Sequence, residues 1–384
     1  MIERRRTALK AWPFFGIFLI QIILLLAHWF LFHTFIAFRP DLAVGAVSWL
    51  RVVVLTLAFS FAGSSLLSFR FSNFAVRLMY KIASVWLGFL NYFFLAACMC
   101  WLTWYAMLAF GAAGLTPRPM IAAGFFALAV LTCVYGMLNA RWIRVRRIGV
   151  SLDNLPDAWR GRKALLMSDL HLGNINSAGF SRRLVALANR LRPDIVFLPG
   201  DLFDGTKADL DCLVGPFKGL TAPFGSYFCT GNHEEFTDPA HYIEAVTRAG
   251  IRVLNSERVT VEGLHIIGIR YGDSTYPIRT RAMLEALSPG SAQASILLSH
   301  APIRLPIAEQ AGISLQLSGH THGGQLFPYT YFTRRIFGRF THGLHNFGAL
   351  QVYTSTGAGT WGPPMRVGTQ PEVVVLEFAR TVEN

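Results

Sequence analysis

The sequence has 384 residues, of which 53% are hydrophobic, and a net charge of +13. This length accommodates two or three domains, and the hydrophobic fraction is high for a protein that is soluble throughout. Residues 1–150 hold 14 Lys and Arg against two acidic residues, whereas residues 151–384 hold 21 against 20. The basic excess therefore belongs to the apolar N-terminal part, which argues against a nucleic-acid partner for the C-terminal part.

Four apolar stretches in the first 150 residues are each long enough to cross a bilayer, which takes about 20 residues. They cover residues 13–38, 46–69, 82–110 and 120–139. No small-residue cleavage site follows the first stretch, as it would in a signal peptide. All four lack the polar face of a surface helix. We therefore predict a membrane domain over residues 1–147 with four transmembrane helices.

Lys and Arg beside the spans predict the orientation, because cytoplasmic loops carry the excess. Eleven lie on one side: Arg4, Arg5, Arg6, Lys10, Arg70, Arg77, Lys81, Arg141, Arg144, Arg146 and Arg147. Three lie on the other side: Arg39, Arg51 and Arg118. We expect a multi-pass protein of the cell inner (cytoplasmic) membrane whose termini and C-terminal domain are cytoplasmic.

Short apolar runs alternate with helical patterns in the remainder of the chain. The runs cover residues 164–167, 195–198, 226–229, 266–269, 296–298, 315–317, 350–353 and 373–378. The helical patterns cover residues 180–191, 240–249, 281–287 and 303–310. Runs of this length are typical of strands buried on both faces. The alternation predicts an α/β layered domain, with its active residues in loops beyond the strand ends.

Five polar stretches follow such runs: SDLH at 168–171, GDLFD at 200–204, GNHE at 231–234, SH at 299–300 and GHTH at 319–322. Each alone is a weak signal, since a capping turn or a buried histidine would also produce it. Together they place carboxylate, carboxamide and imidazole groups at the same ends of strands. Mixed nitrogen and oxygen ligands suit Mn, Fe or Zn better than Ca or Mg. The set predicts two divalent metal ions with room for a phosphate.

Two metal ions about 3.5–4 Å apart clamp a phosphoryl group and lower the pKa of a water between them, so that hydroxide attacks near neutral pH. A carboxylate bridges two cations where an imidazole does not, so one aspartate is expected between them. The sequence contains no GxSxG nucleophile elbow and no GxxxxGK[ST] phosphate loop. These patterns favour metal-dependent hydrolysis over covalent catalysis.

In this order the motifs resemble the calcineurin-like metallophosphoesterase superfamily over about residues 160–380. The blocks at 168–173 and 319–325 and the tail from 341 to 372 are similar to its membrane-associated bacterial branch. The resemblance implies a four-layer αββα sandwich in residues 148–384, preceded by the four-helix transmembrane region. It also implies a phosphohydrolase acting as a phosphodiesterase, phosphatase or pyrophosphatase.

The resemblance implies a role for each position. The first metal is held by Asp169, His171 and His322, the second by Asn232, His300 and His320, and Asp201 bridges them. His233 contacts the phosphoryl oxygen or protonates the leaving group, and Asp204 orients that histidine. A loop histidine and a turn aspartate without catalytic roles remain the alternatives for these two.

The substrate is open at this stage. The membrane spans favour a membrane-proximal or lipid-linked phosphoester, and UDP-2,3-diacylglucosamine pyrophosphatase activity in lipid A synthesis is a specific alternative. A non-catalytic membrane signalling or scaffold protein is the alternative from another class, although an intact ligand set argues against it. Residues 329–347 form a basic stretch rich in aromatics, which either dips into the anionic leaflet or packs on the domain as an ordinary insertion.

Overall fold

The computed structural model describes the backbone of residues 2–379 and the side chains of residue 16 and of residues 18–379. The chain forms two compact units, residues 1–137 with 362–364 and residues 138–361 with 365–384. The side chains of Arg4, Arg5, Arg6 and Lys10, used above for the orientation, lie outside the described residues, as do residues 380–384. The division into domains after residue 147 stays a prediction.

The first unit is built from long apolar helices. They are α1 (Ile2–Phe38), α2 (Val44–Arg70), α3 (Phe74–Ala109) and α4 (Arg118–Arg141). Each is long and apolar enough to cross a membrane, which confirms the four apolar helices predicted from the sequence. Large apolar side chains such as Trp49 and Phe74 are 73% and 80% exposed. A lipid-facing surface explains this exposure.

Many polar side chains in the first unit bond within their own helix or to a neighbouring helix. The Thr56 hydroxyl donates to the Val52 carbonyl one turn earlier, at 2.9 Å. Between helices, the Trp86 indole N–H donates to His28 Nε2 at 2.9 Å, and the Trp101 indole N–H donates to the Thr34 hydroxyl at 2.9 Å. Such bonds satisfy polar groups within and between apolar helices.

The second unit is a mixed α/β structure. Its strands are β1 (Arg144–Ser151), β2 (Lys163–Leu166), β3 (Ile195–Pro199), β4 (Ser226–Cys229), β5 (Arg252–Val253), β6 (Glu257–Val261), β7 (Leu264–Gly268), β8 (Ser295–Leu298), β9 (Leu315–Ser318), β10 (Gly343–Phe347), β11 (Leu350–Thr354) and β12 (Glu372–Ala379). Its helices are α5 (Ala178–Leu191), α6 (Leu210–Val214), α7 (Ala240–Arg248), α8 (Tyr271–Thr275), α9 (Pro277–Leu287), α10 (Leu305–Gln310) and α11 (Tyr329–Phe337). All predicted strands and helices are present; β1, β5, β6, β10, α6, α8 and α11 are additional.

The strands form two six-stranded sheets. The first has the order β1-β12-β2-β3-β4-β5 and the second β10-β11-β9-β8-β7-β6. Strands β2 to β5 are parallel, as are β7, β8, β9 and β11. Antiparallel hairpins β6–β7 and β10–β11 close both edges of the second sheet. The parallel strands at the centre of each sheet have their carboxyl ends on the same side of the sheet, and the polar stretches lie on that side.

The two sheets pack face to face with helices outside. Alternate residues of one strand point to opposite faces, so Leu166 lies between the sheets while Leu165 packs under α5 and α7. In the second sheet, Ile296 lies between the sheets while Leu297 packs against α9 and α10. Helix, sheet, sheet and helix thus form four layers, as predicted.

Candidate dinuclear metal centre

The five polar stretches meet at the carboxyl ends of β2, β3, β4, β8 and β9. Within the described residues, three groups of His and Asp side chains have ligand atoms within 4.8 Å of one another. Five predicted ligands also have left-handed backbones, with φ between 46° and 71°: Asp169, His171, Asp201, His320 and His322. Each such residue costs about 1–3 kcal/mol. Strain of this kind at one place is typical of functional sites.

The first group joins Asp169, His171 and His322. The Nε2 atoms of the two histidines are 2.9 Å apart, and His322 Nε2 lies 3.6 Å from a carboxylate oxygen of Asp169. Burial holds the pKa of both histidines well below the ordinary value, helped by His233 for His171 and by Arg366 for His322. Burial also raises the pKa of Asp169 to about 6. Two neutral imidazoles facing a buried carboxyl group form a set of ligands for a cation.

The second group joins His300, His320 and Asn232. The Asn232 amide oxygen lies 3.1 Å from His300 Nε2 and 3.0 Å from His320 Nδ1. His300 Nδ1 donates to the Pro199 carbonyl at 2.9 Å, which directs Nε2 into the group. Although burial opposes it, the Asp201 carboxylate raises the pKa of His300 to about 10. Burial and His300 lower the pKa of His320 to about 4, so this ring is neutral.

Asp201 lies between the two groups. Its Oδ2 atom is 3.1 Å from His300 Nε2 on one side and 3.8 Å from His171 Nε2 on the other. Its Oδ1 atom accepts the His233 backbone N–H at 3.0 Å, which fixes the carboxylate. Burial alone would raise the pKa of Asp201, but His300 outweighs it and the pKa falls below its ordinary value. This ionised, centrally placed carboxylate fits the predicted bridging position.

A close-packed glycine supports this carboxylate. A Cβ added to Gly231 would lie 2.1 Å from Asp201 Oδ1. Any larger residue at this position would displace the carboxylate, because real Cβ atoms do not approach so closely.

His233 and Asp204 are adjacent, but the contact between them involves the main chain of Asp204. His233 Nδ1 donates to the Asp204 carbonyl oxygen at 2.8 Å, so Nε2 faces the site, 3.9 Å from Asp201 Oδ2. The Asp204 carboxylate instead accepts the backbone N–H groups of Asn174 at 3.1 Å and Thr206 at 2.8 Å. The Asp204 carboxylate therefore stabilises the surrounding loop, and it is the Asp204 carbonyl that orients the His233 ring.

The residues present fit two divalent cations. Four imidazole nitrogens, a carboxamide oxygen and two carboxylates converge in buried space, and mixed donors of this kind bind Mn, Fe or Zn. The Nδ1 atom of His171 is buried without a hydrogen-bond partner, and unsatisfied buried polar atoms are uncommon outside functional positions.

Glu234 supports the site in a way that the sequence pattern does not reveal. Its side chain is fully buried and accepts three backbone N–H groups, from Asp201 at 3.0 Å, Phe203 at 2.9 Å and Gly231 at 2.7 Å. Burial and the Asp201 charge raise its pKa, and two of these N–H bonds, from Phe203 and Gly231, act in the opposite direction. Glu234 thus joins the loops after β3 and β4, which carry Asp201 and Asn232.

Arg366 is a second residue that the sequence analysis does not identify. It is fully buried; its Nη1 donates to the His322 carbonyl oxygen at 2.9 Å and its Nη2 lies 3.2 Å from His322 Nδ1. Nη2 also donates to the Gly359 carbonyl at 2.6 Å. The Arg366 carbonyl in turn accepts the Asn139 side-chain N–H at 2.9 Å. The guanidinium therefore holds the ring of a predicted metal ligand from behind.

The loop at Gly357–Gly359 does not offer its amides to a phosphate. The Ala358 N–H donates to the Ser168 carbonyl at 3.0 Å and the Gly359 N–H donates to the Asp169 carbonyl at 2.9 Å. A Cβ added to Gly357, whose φ is +79°, would lie 2.6 Å from Asp169 Cβ. These residues fix the Asp169 loop.

Comparison with known proteins identifies the class to which this fold and site belong. Residues 162–324 match the family model described as calcineurin-like phosphoesterase. The chain is 30% identical over 256 residues to an uncharacterized metallophosphoesterase of Aquifex aeolicus, covering 65% of this chain and 97% of that protein. The chain therefore belongs to the calcineurin-like metallophosphoesterase family, whose members are dinuclear metal-dependent.

Two further relatives carry additional sequence. The chain is 31% identical over 284 residues to a zebrafish (Danio rerio) "transmembrane protein with metallophosphoesterase domain", covering 67% of this chain and 65% of that protein. It is 30% identical over 256 residues to an uncharacterized metallophosphoesterase of Campylobacter jejuni, covering 64% and 66%. The chain thus spans just under two thirds of the length of these two relatives.

Proposed function

We propose that this chain is a membrane-anchored phosphoester hydrolase that uses two divalent metal ions. The observation that carries the proposal is the position of Asp201 between two groups of nitrogen and oxygen ligands at one edge of both sheets. Asp169, His171 and His322 would hold one ion, and Asn232, His300 and His320 the other. The metals proposed are Mn, Fe or Zn, because the donor set is mixed.

When bound, the two ions supply Lewis acidity that polarises the phosphoryl group and activates water. The chain's own residues supply orientation and a proton. His233 is held by its bond to the Asp204 carbonyl, so its Nε2 atom points into the site and can protonate a leaving oxygen. The rings of Phe236 and Trp361, whose centroids lie 4.5 and 6.1 Å from that of His233, cover its outer side.

The proposed substrate is a phosphoester or pyrophosphate that is membrane-proximal or lipid-linked. The four apolar helices support a location in a membrane, and the Lys and Arg distribution supports a cytoplasmic position of the catalytic unit in the cytoplasmic membrane. A UDP-2,3-diacylglucosamine pyrophosphatase is a specific form of this proposal. A non-catalytic signalling or scaffold protein is the competing function, against which the complete ligand set argues.

A substrate panel tests the proposal. Purified full-length protein in detergent, loaded with Mn, is assayed on bis-p-nitrophenyl phosphate, p-nitrophenyl phosphate and UDP-2,3-diacylglucosamine, with Asp201→Ala as the blank. Hydrolysis of any of them above the blank supports the chemistry, and strong preference for the lipid nucleotide supports the specific form. Bound metal without hydrolysis of any substrate in the panel would favour the scaffold protein.

A reporter fusion tests the orientation separately. A C-terminal fusion to an enzyme that is active only outside the cytoplasm is expected to stay silent. A strong signal would contradict the cytoplasmic position.

A further inference from the structure

Helix α11 lies at the edge of the metal centre and begins four residues after the GHTHGGQ stretch at 319–325. It packs closely on the turn that carries His322, because a Cβ added to Gly324 would lie 2.5 Å from the Thr330 backbone. The Phe337 ring centroid is 6.1 Å from that of His320. The helix is therefore fixed to the site and does not extend away from it.

One face of α11 exposes an apolar stripe. Tyr329, Phe332 and Ile336 are spaced i, i+3 and i+7, so they share one side of the helix. They are 52%, 55% and 75% exposed, and no residue of α11 is buried. An amphipathic helix of a soluble domain turns such a stripe to the core. Here the stripe faces outward.

The same region is strongly basic. Arg334, Arg335 and Arg339 are exposed, and the sequence contains no acidic residue between Glu309 and Glu372. Among the described residues, none of the three arginines forms an ion pair with a carboxylate. Two of the three guanidinium groups lie over neighbouring rings, Arg335 over Tyr331 and Arg339 over Phe340, at 5.1 Å from each centroid. Arginines without carboxylate partners, next to an apolar stripe, complement a surface that has an apolar interior and anionic groups at its boundary with water.

Exposed aromatics continue from the helix around the site. Phe327, Trp361 and Phe236 are 52%, 57% and 55% exposed. Two of these rings, Trp361 and Phe236, border His233. Aromatic side chains of this kind prefer the boundary between lipid and water.

We propose that α11 docks on an anionic phospholipid surface and brings the metal centre to phosphoesters held in that surface. This inference rests on the proposed function for its catalytic consequence. A bilayer is favoured as the occupant because α4, a candidate membrane span, ends at Arg141 and β1 begins at Arg144. A connection of two residues spans at most about 10 Å, so the chain itself keeps this unit near a bilayer. The basic, acid-free surface of α11 complements anionic headgroups.

Nitroxide labelling of the full-length protein in lipid nanodiscs tests the docking without depending on activity. One label is placed at Ile336→Cys in a Cys212→Ser background, and the control label is placed on the natural, exposed Cys212 of α6. Collision with oxygen reports lipid, and collision with a water-soluble nickel chelate reports solvent. Nanodiscs of phosphatidylcholine are compared with nanodiscs of phosphatidylcholine and phosphatidylglycerol.

With phosphatidylglycerol present, we expect the label at residue 336 to gain oxygen contact and lose nickel contact, while Cys212 stays solvent-exposed. The double change Arg334→Gln with Arg335→Gln should lower the ratio of docked to undocked helix by about fivefold for each arginine removed. The adjacent exposed pair on α5, changed as Arg182→Gln with Arg183→Gln, is the matched control and should leave the ratio unchanged.

The proposal would be overturned if the label at residue 336 collided with the nickel chelate equally often in both lipids. That result would mean either that α11 does not dock or that its docking is independent of lipid charge. Dipolar broadening between labels on two copies would assign the stripe to self-association and overturn it as well. If docking is observed but the substrate panel shows no hydrolysis, the membrane surface stands and the proposed function fails. If hydrolysis is observed but α11 does not dock, the proposed function stands and the docking proposal fails.

Discussion

The two units handle polar and apolar groups in opposite ways. In residues 18–137, large apolar side chains face outward, and many polar side chains bond to a nearby carbonyl or to a neighbouring helix, as Trp86 does to His28. In the second unit, apolar side chains fill the layers and one cluster of titratable groups is buried at the candidate metal centre, with Asp169 and Asp201 both inside. The first arrangement suits a solvent without hydrogen bonds. The second places carboxylates and imidazoles together, where a cation would compensate the carboxylate charge.

Buried polar groups therefore have different roles in the two units. Buried polar groups in the first unit are few, and most of them, such as His28 and Thr34, bond to a carbonyl of their own helix, so they specify helix packing. In the second unit they face one another, and His171 retains an unpartnered ring nitrogen. Substitutions should therefore affect metal binding and turnover in the second unit, and only packing in the first.

The largest effect is expected for Asp201→Asn. The carboxamide has a single oxygen acceptor and no charge, so neither ligand group keeps its bridge, and turnover should fall about a thousandfold or more. Metal content by mass spectrometry and hydrolysis of bis-p-nitrophenyl phosphate measure this. Asp211→Asn on α6, where the carboxylate is 64% exposed, should stay within about twofold. Full metal content in Asp201→Asn would show that Asp201 is not the bridging ligand.

Next in size is His233→Asn. Asparagine keeps a polar group but cannot transfer a proton near neutral pH, so turnover should fall about 10²–10⁴-fold with metal content near that of the unchanged protein. The same assays apply. The matched control is His265→Asn, a histidine bonded to Thr260 and Gln293 on the second sheet. Parallel loss of metal and turnover would make His233 a ligand instead of a proton donor.

A smaller effect is expected for Arg366→Lys. Lysine keeps the charge but has one nitrogen in place of Nη1 and Nη2, so it cannot reproduce the contacts to both the His322 and Gly359 carbonyls in their present positions, and metal affinity should weaken about 10–100-fold. Competition with a chelator of known affinity measures the change. Arg248→Lys, an exposed arginine paired with Asp211, is the control and should bind metal normally. An unchanged affinity in Arg366→Lys would show that the guanidinium does not position His322.

The smallest effect should come from the first unit. Trp86→Phe removes the indole N–H that bonds to His28 and should cost about 0.6 kcal/mol of unfolding free energy, because unfolded helices in a membrane also find partners. Tyr353→Phe removes the hydroxyl that donates to the buried Glu372 at 3.1 Å, and should cost about 1–3 kcal/mol. Chemical unfolding in detergent compares the two. Equal costs would break the contrast between the units.

The fold was accessible from the sequence where strands are buried on both faces. The run at 195–198 predicts β3 (Ile195–Pro199), which is buried throughout. Strand β1 does not show this pattern, because it lies at a sheet edge and exposes arginines. A basic cluster beside a membrane span accounts for the same arginines equally well, so the sequence did not indicate a strand. Helix α11 escapes this pattern because its apolar residues have no core to face.

The ligands were accessible because each lies in a short motif next to a strand. Arg366 was not, since its contact with His322 joins residues 44 positions apart and no local pattern marks it. The left-handed backbones of Asp169 and His322 are likewise not marked by any local sequence pattern. Sequence reasoning thus finds the groups that bind and misses those that hold them in place.

The Asn139 side chain has a practical consequence for dissecting the protein. Asn139 lies in the last turn of α4 yet belongs to the second unit, and its N–H groups donate to the carbonyls of Arg366 and Thr369, both at 2.9 Å. The predicted division after residue 147 cuts through β1, which pairs with β12 along its whole length. A soluble fragment starting at residue 148 therefore begins with a shortened edge strand and an untethered Arg366 loop. Fragments that start before Asn139 are the ones expected to retain metal.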